Sequence, residues 1–155
     1  PEALFWYYEQ VELGFNYRMT DIQASLGLSQ LGRLEGFVTR RNELADIYDD
    51  LLGNLPLRLQ EISEDVMSAR HLYVIRVEAN RHRKLFDSLR RAKFGVNLHY
   101  VPVHLQPYYR SFGFVSGQFP EAEAYGREAV SVPLYPGMSE QQQNSLIHVL
   151  NENLT

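Results

Sequence analysis

His71-Leu72-Tyr73-Val74-Ile75-Arg76-Val77 is the stretch that decides the fold. Its β-branched and aromatic residues predict a strand, and both flanks predict helix. Upstream, Thr20-Asp21-Ile22-Gln23 fits a capping box, in which the threonine hydroxyl meets the N3 amide and Gln23 reaches back. Ile22, Leu26, Leu28, Leu31 and Leu34 follow, and then Phe37, Leu44, Ile47, Tyr48 and Leu51 at the spacing of one helical face. Gly27, Gly32 and Gly36 weaken the middle, which predicts a kink or two helices meeting near residue 32. Gly53-Asn54 and Pro56 end that region. Downstream, Asn80 is a candidate N-cap for a helix through Leu85, Phe86 and Leu89.

Farther out, Leu57 to Gln60, Val96 to Val101 and Ala129 to Leu134 read as further strands. Tyr108 to Phe114 reads as one short helical turn in a loop opened by Pro102 and Pro107, and Glu121 to Glu128 as a helix. Ser139-Glu140-Gln141-Gln142 caps a last helix through Ile147 and Leu150. Strands alternating with helices around a small sheet give an α/β domain.

Composition narrows the function classes. The 155 residues, 45% hydrophobic and 22% charged, suffice for one globular domain with a core. The chain has no cysteine, which removes disulfides, thiolate metal sites and cysteine nucleophiles. A net charge of −4 argues against a nucleic-acid binder. No apolar run reaches the length of a membrane span, and no secretion signal is read at the N-terminus, so a soluble cytoplasmic protein is expected. Asn153-Leu154-Thr155 fits the glycosylation pattern but lacks a secretory context.

Two segments carry chemistry. Asn16, Tyr17 and Arg18 place an amide, a phenol and a guanidinium on a loop before a capped helix, a donor set that suits a phosphorylated ligand. The plainer reading makes Asn16 a turn residue and Arg18 a surface partner of Asp21 or Glu12. His99-Tyr100-Val101-Pro102-Val103-His104-Leu105-Gln106-Pro107-Tyr108-Tyr109 delivers two imidazoles, three phenols and an amide to a proline-stiffened loop. That group can bind a polar ligand with several hydroxyls or a diphosphate. Alternatively the tyrosines pack and one histidine bonds to backbone, which composition alone slightly favours. The histidines do not have the i, i+4 spacing of a helical zinc pair. Arginines 40, 41, 90 and 91 read as solvated helix faces. Neither Lys84, mid-helix among charges, nor Lys93, in a turn, has the desolvated setting that Schiff-base chemistry needs. These residues offer a binding surface without a catalytic centre or a metal site.

Leu13 to Arg18, Asp21-Ile22-Gln23-Ala24 with Gln30-Leu31, Arg40-Arg41, Tyr48 to Leu52, His71-Leu72-Tyr73, His99 to Tyr108 and Ser131 to Met138 occur in an order that resembles the DegT/DnrJ/EryC1/StrS sugar aminotransferases. The wording of 16–20 and 99–109 resembles most the branch that makes UDP-4-amino-4,6-dideoxy-N-acetyl-altrosamine, a pseudaminic-acid precursor. The resemblance implies the small C-terminal domain of a type I, aspartate-aminotransferase-like fold. A long helical region would pack on a small, mainly antiparallel sheet. Residues 1–19 would connect to a cofactor domain outside this chain, and 20–155 would form the small domain with its leading helices.

The implied activity is amino transfer from glutamate to a 4-keto nucleotide-linked sugar in bacterial surface-glycan or flagellin-glycan synthesis. It would use pyridoxal 5′-phosphate (PLP) and a homodimer with shared active sites. On that pattern Asn16 would reach the cofactor phosphate of the neighbouring subunit. Arg18, Tyr100, His104 and Tyr108 would bind substrate, with His104 near the diphosphate, and Tyr17 and His99 would be secondary contacts. The cofactor lysine would lie outside this chain, which would bind no PLP alone. The abrupt start at Pro1 and the aromatic run Leu4 to Tyr8 fit that expectation, and self-association through exposed apolar surface follows from it. The other reading is a stand-alone, non-catalytic module that binds a nucleotide sugar or pairs with a separate PLP subunit.

Overall fold

The computed structural model describes residues 12–15 and 17–155, and the chain divides into two units, 1–34 and 35–155. Asn16 and the aromatic run Leu4 to Tyr8 lie outside the described residues. In the first unit, helix α1 spans Asp21–Leu31 and opens with the capping box read from the sequence: Thr20 Oγ1 accepts from the Gln23 amide, and the Gln23 side chain accepts from the Thr20 amide. No residue of α1 is buried.

The second unit holds the core. Helix α2 spans Leu34–Leu52, so the glycine-weakened region resolves into two helices. Strands β1 (Leu57–Arg58), β2 (Tyr73–Val77) and β3 (Ala129–Val132) form an antiparallel sheet in the order β1-β2-β3. Tyr73 pairs with Val132 and Ile75 with Val130 in the β2–β3 register. Helices α3 (Ala79–Arg91), α4 (Pro107–Arg110), α5 (Pro120–Glu128) and α6 (Glu140–Leu154) complete the chain. This is the expected small α/β architecture of helices on an antiparallel sheet.

Alternation along β2 buries Tyr73, Ile75 and Val77 and leaves Val74 and Arg76 half-buried. The buried set joins Leu44, Tyr48 and Leu52 of α2, Leu85 and Leu89 of α3, Val130 and Val132 of β3, and Leu146, Leu150 and Leu154 of α6 in one cluster. Each such side chain contributes roughly 1.5–3 kcal/mol of burial. Polar bonds fix the register of the helices on the sheet. Tyr48 donates to the Pro133 carbonyl at 3.0 Å, and Gln143 Nε2 donates to the Leu44 carbonyl at 2.7 Å. Asp49 accepts from the Tyr73 hydroxyl at 2.5 Å and from Arg70 Nη2 at 3.3 Å.

Four expectations need correction. The core stripe of α2 is Leu44, Ala45, Tyr48 and Leu52, while Ile47 and Leu51 are 37% and 50% exposed; the buried face is turned one residue from the predicted one. Asn80 lies inside α3 rather than capping it, and the N-cap is Glu78 without a side-chain bond. Residues 96–101 form no strand. Only Asn97 pairs with Ser131, exchanging both backbone bonds at 2.8 and 3.2 Å, before the chain leaves the sheet toward Pro102, which has no N–H to continue a ladder. Arg41 is not a solvated arginine: its Nη1 donates to the carbonyls of Arg70, His71 and Leu134.

Candidate functional site

The loop from Asn97 to Gln106 is shaped by two elements. On β3, Ser131 bonds the Asn97 backbone, and its hydroxyl meets His99 Nδ1 at 2.7 Å. On α5, Gly126 allows close approach: a β-carbon there would lie 2.8 Å from Pro102 Cδ and 3.4 Å from the Tyr100 carbonyl oxygen. A single 3-10 turn, Val103–Leu105, then carries His104 inward, and Pro107 starts α4 at its first turn, where a missing N–H costs nothing.

His104 is 8% exposed. Its Nε2 lies 3.0 Å from Glu123 Oε1, and its ring packs 4.8 Å from that of Phe119. Glu123 is itself buried, on the inner side of α5. Its carboxylate also accepts from the Gly117 amide at 2.6 Å and from the Ser116 hydroxyl at 2.9 Å, with Arg127 Nη1 at 3.9 Å. Gly117 sits at φ +93°, a conformation that glycine alone adopts without strain, and so can aim its N–H at the carboxylate. The bond from His104, then those from Gly117 and Ser116, pull the Glu123 carboxyl down to about 2 against the opposing effect of burial. An ionised carboxylate only accepts, so His104 Nε2 is the donor. Among the described residues His104 Nδ1 has no hydrogen-bond partner.

The predicted residues therefore divide. His99, Tyr100 and His104 share one loop and Tyr108 follows on α4, and neither histidine bonds to backbone: one holds Ser131, the other Glu123. Tyr100 and Tyr108 are 71% and 69% exposed, with Tyr100 edge-on to His99 and Tyr108 edge-on to Tyr109 and Phe112. Their hydroxyls are available to a ligand. Tyr17 and Arg18 are exposed in the first unit, where Tyr17 stacks on Phe15. Glu123 and Gly126 were missed by sequence reasoning. Their three-residue spacing, which puts both on one side of α5, was the available signal.

A separate groove of about 540 Å³ opens between Arg58, Ser68, His71, Leu72, Arg76 and Tyr125. Its two arginines already pair with Glu128, and none of the predicted site residues lines it. Lys84 and Lys93 are both exposed. Among the described residues no helix is long and apolar enough to cross a membrane, and no three metal-ligating side chains cluster.

Comparison with known proteins gives a consistent picture. The family model described as the DegT/DnrJ/EryC1/StrS aminotransferase family matches residues 3–151. An uncharacterised protein of Methanocaldococcus jannaschii is 39% identical over 94% of this chain and 39% of its own length. The spore coat polysaccharide biosynthesis protein SpsC of Bacillus subtilis is 34% identical over 95% of this chain and 40% of its own. A sugar aminotransferase of Streptococcus pneumoniae, solved in its PLP form, superposes with a TM-score of 0.86 at 32% identity, covering 97% of this chain and 40% of that one. The chain thus spans about two fifths of the length of these relatives.

Proposed function

Since this chain belongs to the DegT/DnrJ/EryC1/StrS aminotransferase family, we propose that it is the C-terminal part of a PLP-dependent sugar aminotransferase, with residues 1–19 connecting to a cofactor domain and 20–155 forming the small domain. The reaction is transfer of an amino group from glutamate to the keto carbon of a 4-keto nucleotide-linked sugar, leaving 2-oxoglutarate. The product serves bacterial surface-glycan or flagellin-glycan synthesis. The wording of 16–20 and 99–109 supports UDP-4-amino-4,6-dideoxy-N-acetyl-altrosamine as that product.

The observation that carries this reading is the segment bearing His99, Tyr100 and His104 on the loop and Tyr108 on α4. One imidazole is oriented by a buried carboxylate, and two phenols of the same segment of chain are exposed. His104 receives the diphosphate, and Tyr100 and Tyr108 receive sugar or nucleotide hydroxyls, with His99 steadying Tyr100. Arg18 and Tyr17 add substrate contacts, and Asn16 contacts the cofactor phosphate across a homodimer. PLP, when bound, carries the amino group between donor and acceptor. The described residues do not fit covalent attachment of it, because Lys84 and Lys93 are exposed amines without desolvation. The residues of this chain orient substrate and leave the chemical step to the cofactor domain.

Titration of the chain with UDP, followed by NMR, tests the binding role. Shifts should concentrate on Tyr100, His104 and Tyr108, and His104→Ala should weaken binding about tenfold, the worth of one charge-assisted hydrogen bond. Shifts confined to other surfaces would refute the reading. Supplied with PLP, glutamate and a 4-keto UDP-sugar, the chain alone should release no 2-oxoglutarate. Release would place the cofactor amine within it.

A further inference from the structure

Glu123 is absent from every motif that brought attention to this site, yet it has the most complete set of partners there. Its two oxygens accept from an imidazole, a backbone amide and a hydroxyl, all at 2.6–3.0 Å. A carboxylate held this way cannot rotate to serve a second ligand, so it can act on one by way of the His104 ring. The ring has one other polar atom, Nδ1, which no described residue engages. Phe119 closes one side of the ring, at 4.8 Å between centroids.

We propose that Glu123 is a positioning residue that fixes His104 with Nε2 inward and Nδ1 outward, making Nδ1 the atom that meets a phosphoryl oxygen of a nucleoside diphosphate. This rests on the functional reading above. In its neutral form the ring so held carries its proton on Nε2 and a lone pair on Nδ1. A phosphoryl oxygen requires a donor, so the form that binds carries a second proton, taken from solvent, on Nδ1, and that imidazolium bridges two anions, Glu123 behind and the ligand in front. No bond other than N–H is formed. Among the described residues the charged group paired with the ring is Glu123, with Arg127 Nη1 3.9 Å from its Oε2, both from α5. Ser116 and Gly117, from the loop before α5, fix the carboxylate but carry no charge.

Imidazole ¹⁵N shifts of the free chain, recorded where the ring is neutral, should show His104 protonated on Nε2. Protonation on Nδ1 would overturn the proposal without reference to any ligand. Calorimetry of UDP binding at a pH where those ¹⁵N shifts report a neutral ring, in buffers of different ionisation enthalpy, should show uptake of a proton in the wild-type chain. In Glu123→Gln that uptake should vanish and affinity should fall at least about tenfold, the usual worth of a hydrogen bond to a charged group. Glu123→Asp should restore part of both. Unchanged affinity and proton uptake in a folded Glu123→Gln chain would refute the positioning role. Failure of the wild-type chain to bind UDP would instead strike the functional reading, while the ring's protonation state would still decide the role of Glu123.

Discussion

Gly126 of α5 and Pro102 of the site loop stand so close that a β-carbon on the glycine would fall 2.8 Å from the proline Cδ. The neighbouring atom belongs to a ring with little freedom to move, so Gly126→Ala must displace the loop or the helix. Overpacking of this kind costs about 1–3 kcal/mol, more than the roughly 1 kcal/mol that alanine gains over glycine in a helix. The urea midpoint should fall, and the His99 ring resonances should shift as its bond to Ser131 is disturbed. A rise in the midpoint would mean that the loop yields freely.

Acid should weaken the fold through Glu123. Its carboxyl lies near 2 in the folded chain against an ordinary value of 4.5, so the native state favours the ionised form. The resulting stabilisation is fully present above pH 4.5 and disappears as pH falls toward 2. Glu123→Gln should remove this part of the acid limb, read from denaturation midpoints across that range. An identical acid limb in the variant would assign the loss to other carboxylates.

Alkali should spare two tyrosines. Burial pushes the Tyr48 hydroxyl well above its ordinary value, and burial together with the Asp49 carboxylate does the same to Tyr73. Both favour the neutral phenol, and their contribution is present below pH 10 and lost only at higher pH. Phenolate absorbance should therefore rise in two stages, exposed tyrosines first and these two on unfolding. Tyr48→Phe, which forfeits the bond to the Pro133 carbonyl, should cost about 1 kcal/mol and leave one phenol fewer in the late stage.

Arg41→Met should destabilise the second unit by about 2 kcal/mol, since three carbonyls lose a charged donor. Arg41→Lys should recover part of that, because a single ammonium can also donate to several carbonyls but sits on a shorter side chain. Chemical denaturation of the two variants gives the comparison, and equal stability of wild type and Arg41→Met would return Arg41 to the solvated surface.

Ile22, Leu26, Leu28 and Leu31 of α1 are between 63% and 76% exposed. The chain should accordingly self-associate at tens of micromolar, and Leu26→Glu with Leu28→Glu should shift the sedimentation profile toward monomer. A monomeric wild-type chain at that concentration would refute this expectation.

The sequence was legible where structure is local. The capping boxes at Thr20 and Ser139 formed as read, because a cap depends on four consecutive residues. Residues 96–101 looked like a strand because propensity reports side-chain shape, whereas membership of a sheet needs a partner edge, and only Asn97 found one. Arg41 was misread because its acceptors lie 29 to 93 residues away, a separation that no periodicity encodes. The loop from His99 to Tyr108 was identifiable from its unusual residue types. Glu123 was not, since a glutamate in a helix flanked by Glu121 and Arg127 looks like any solvated turn.

Ser131 holds the site loop by its amide, its carbonyl and its hydroxyl, and among the described residues no other residue of β3 pairs with that segment. A loop fastened to the sheet at one strand position, and otherwise to α5 through Pro102 and His104, can lift away while β2 and β3 stay zipped. Its release is then a sub-global opening with a free energy of its own, smaller than that of unfolding. In hydrogen exchange the Ser131 amide, bonded to Asn97, would report that opening, while the interior amides of β2 would report the melting of the whole unit.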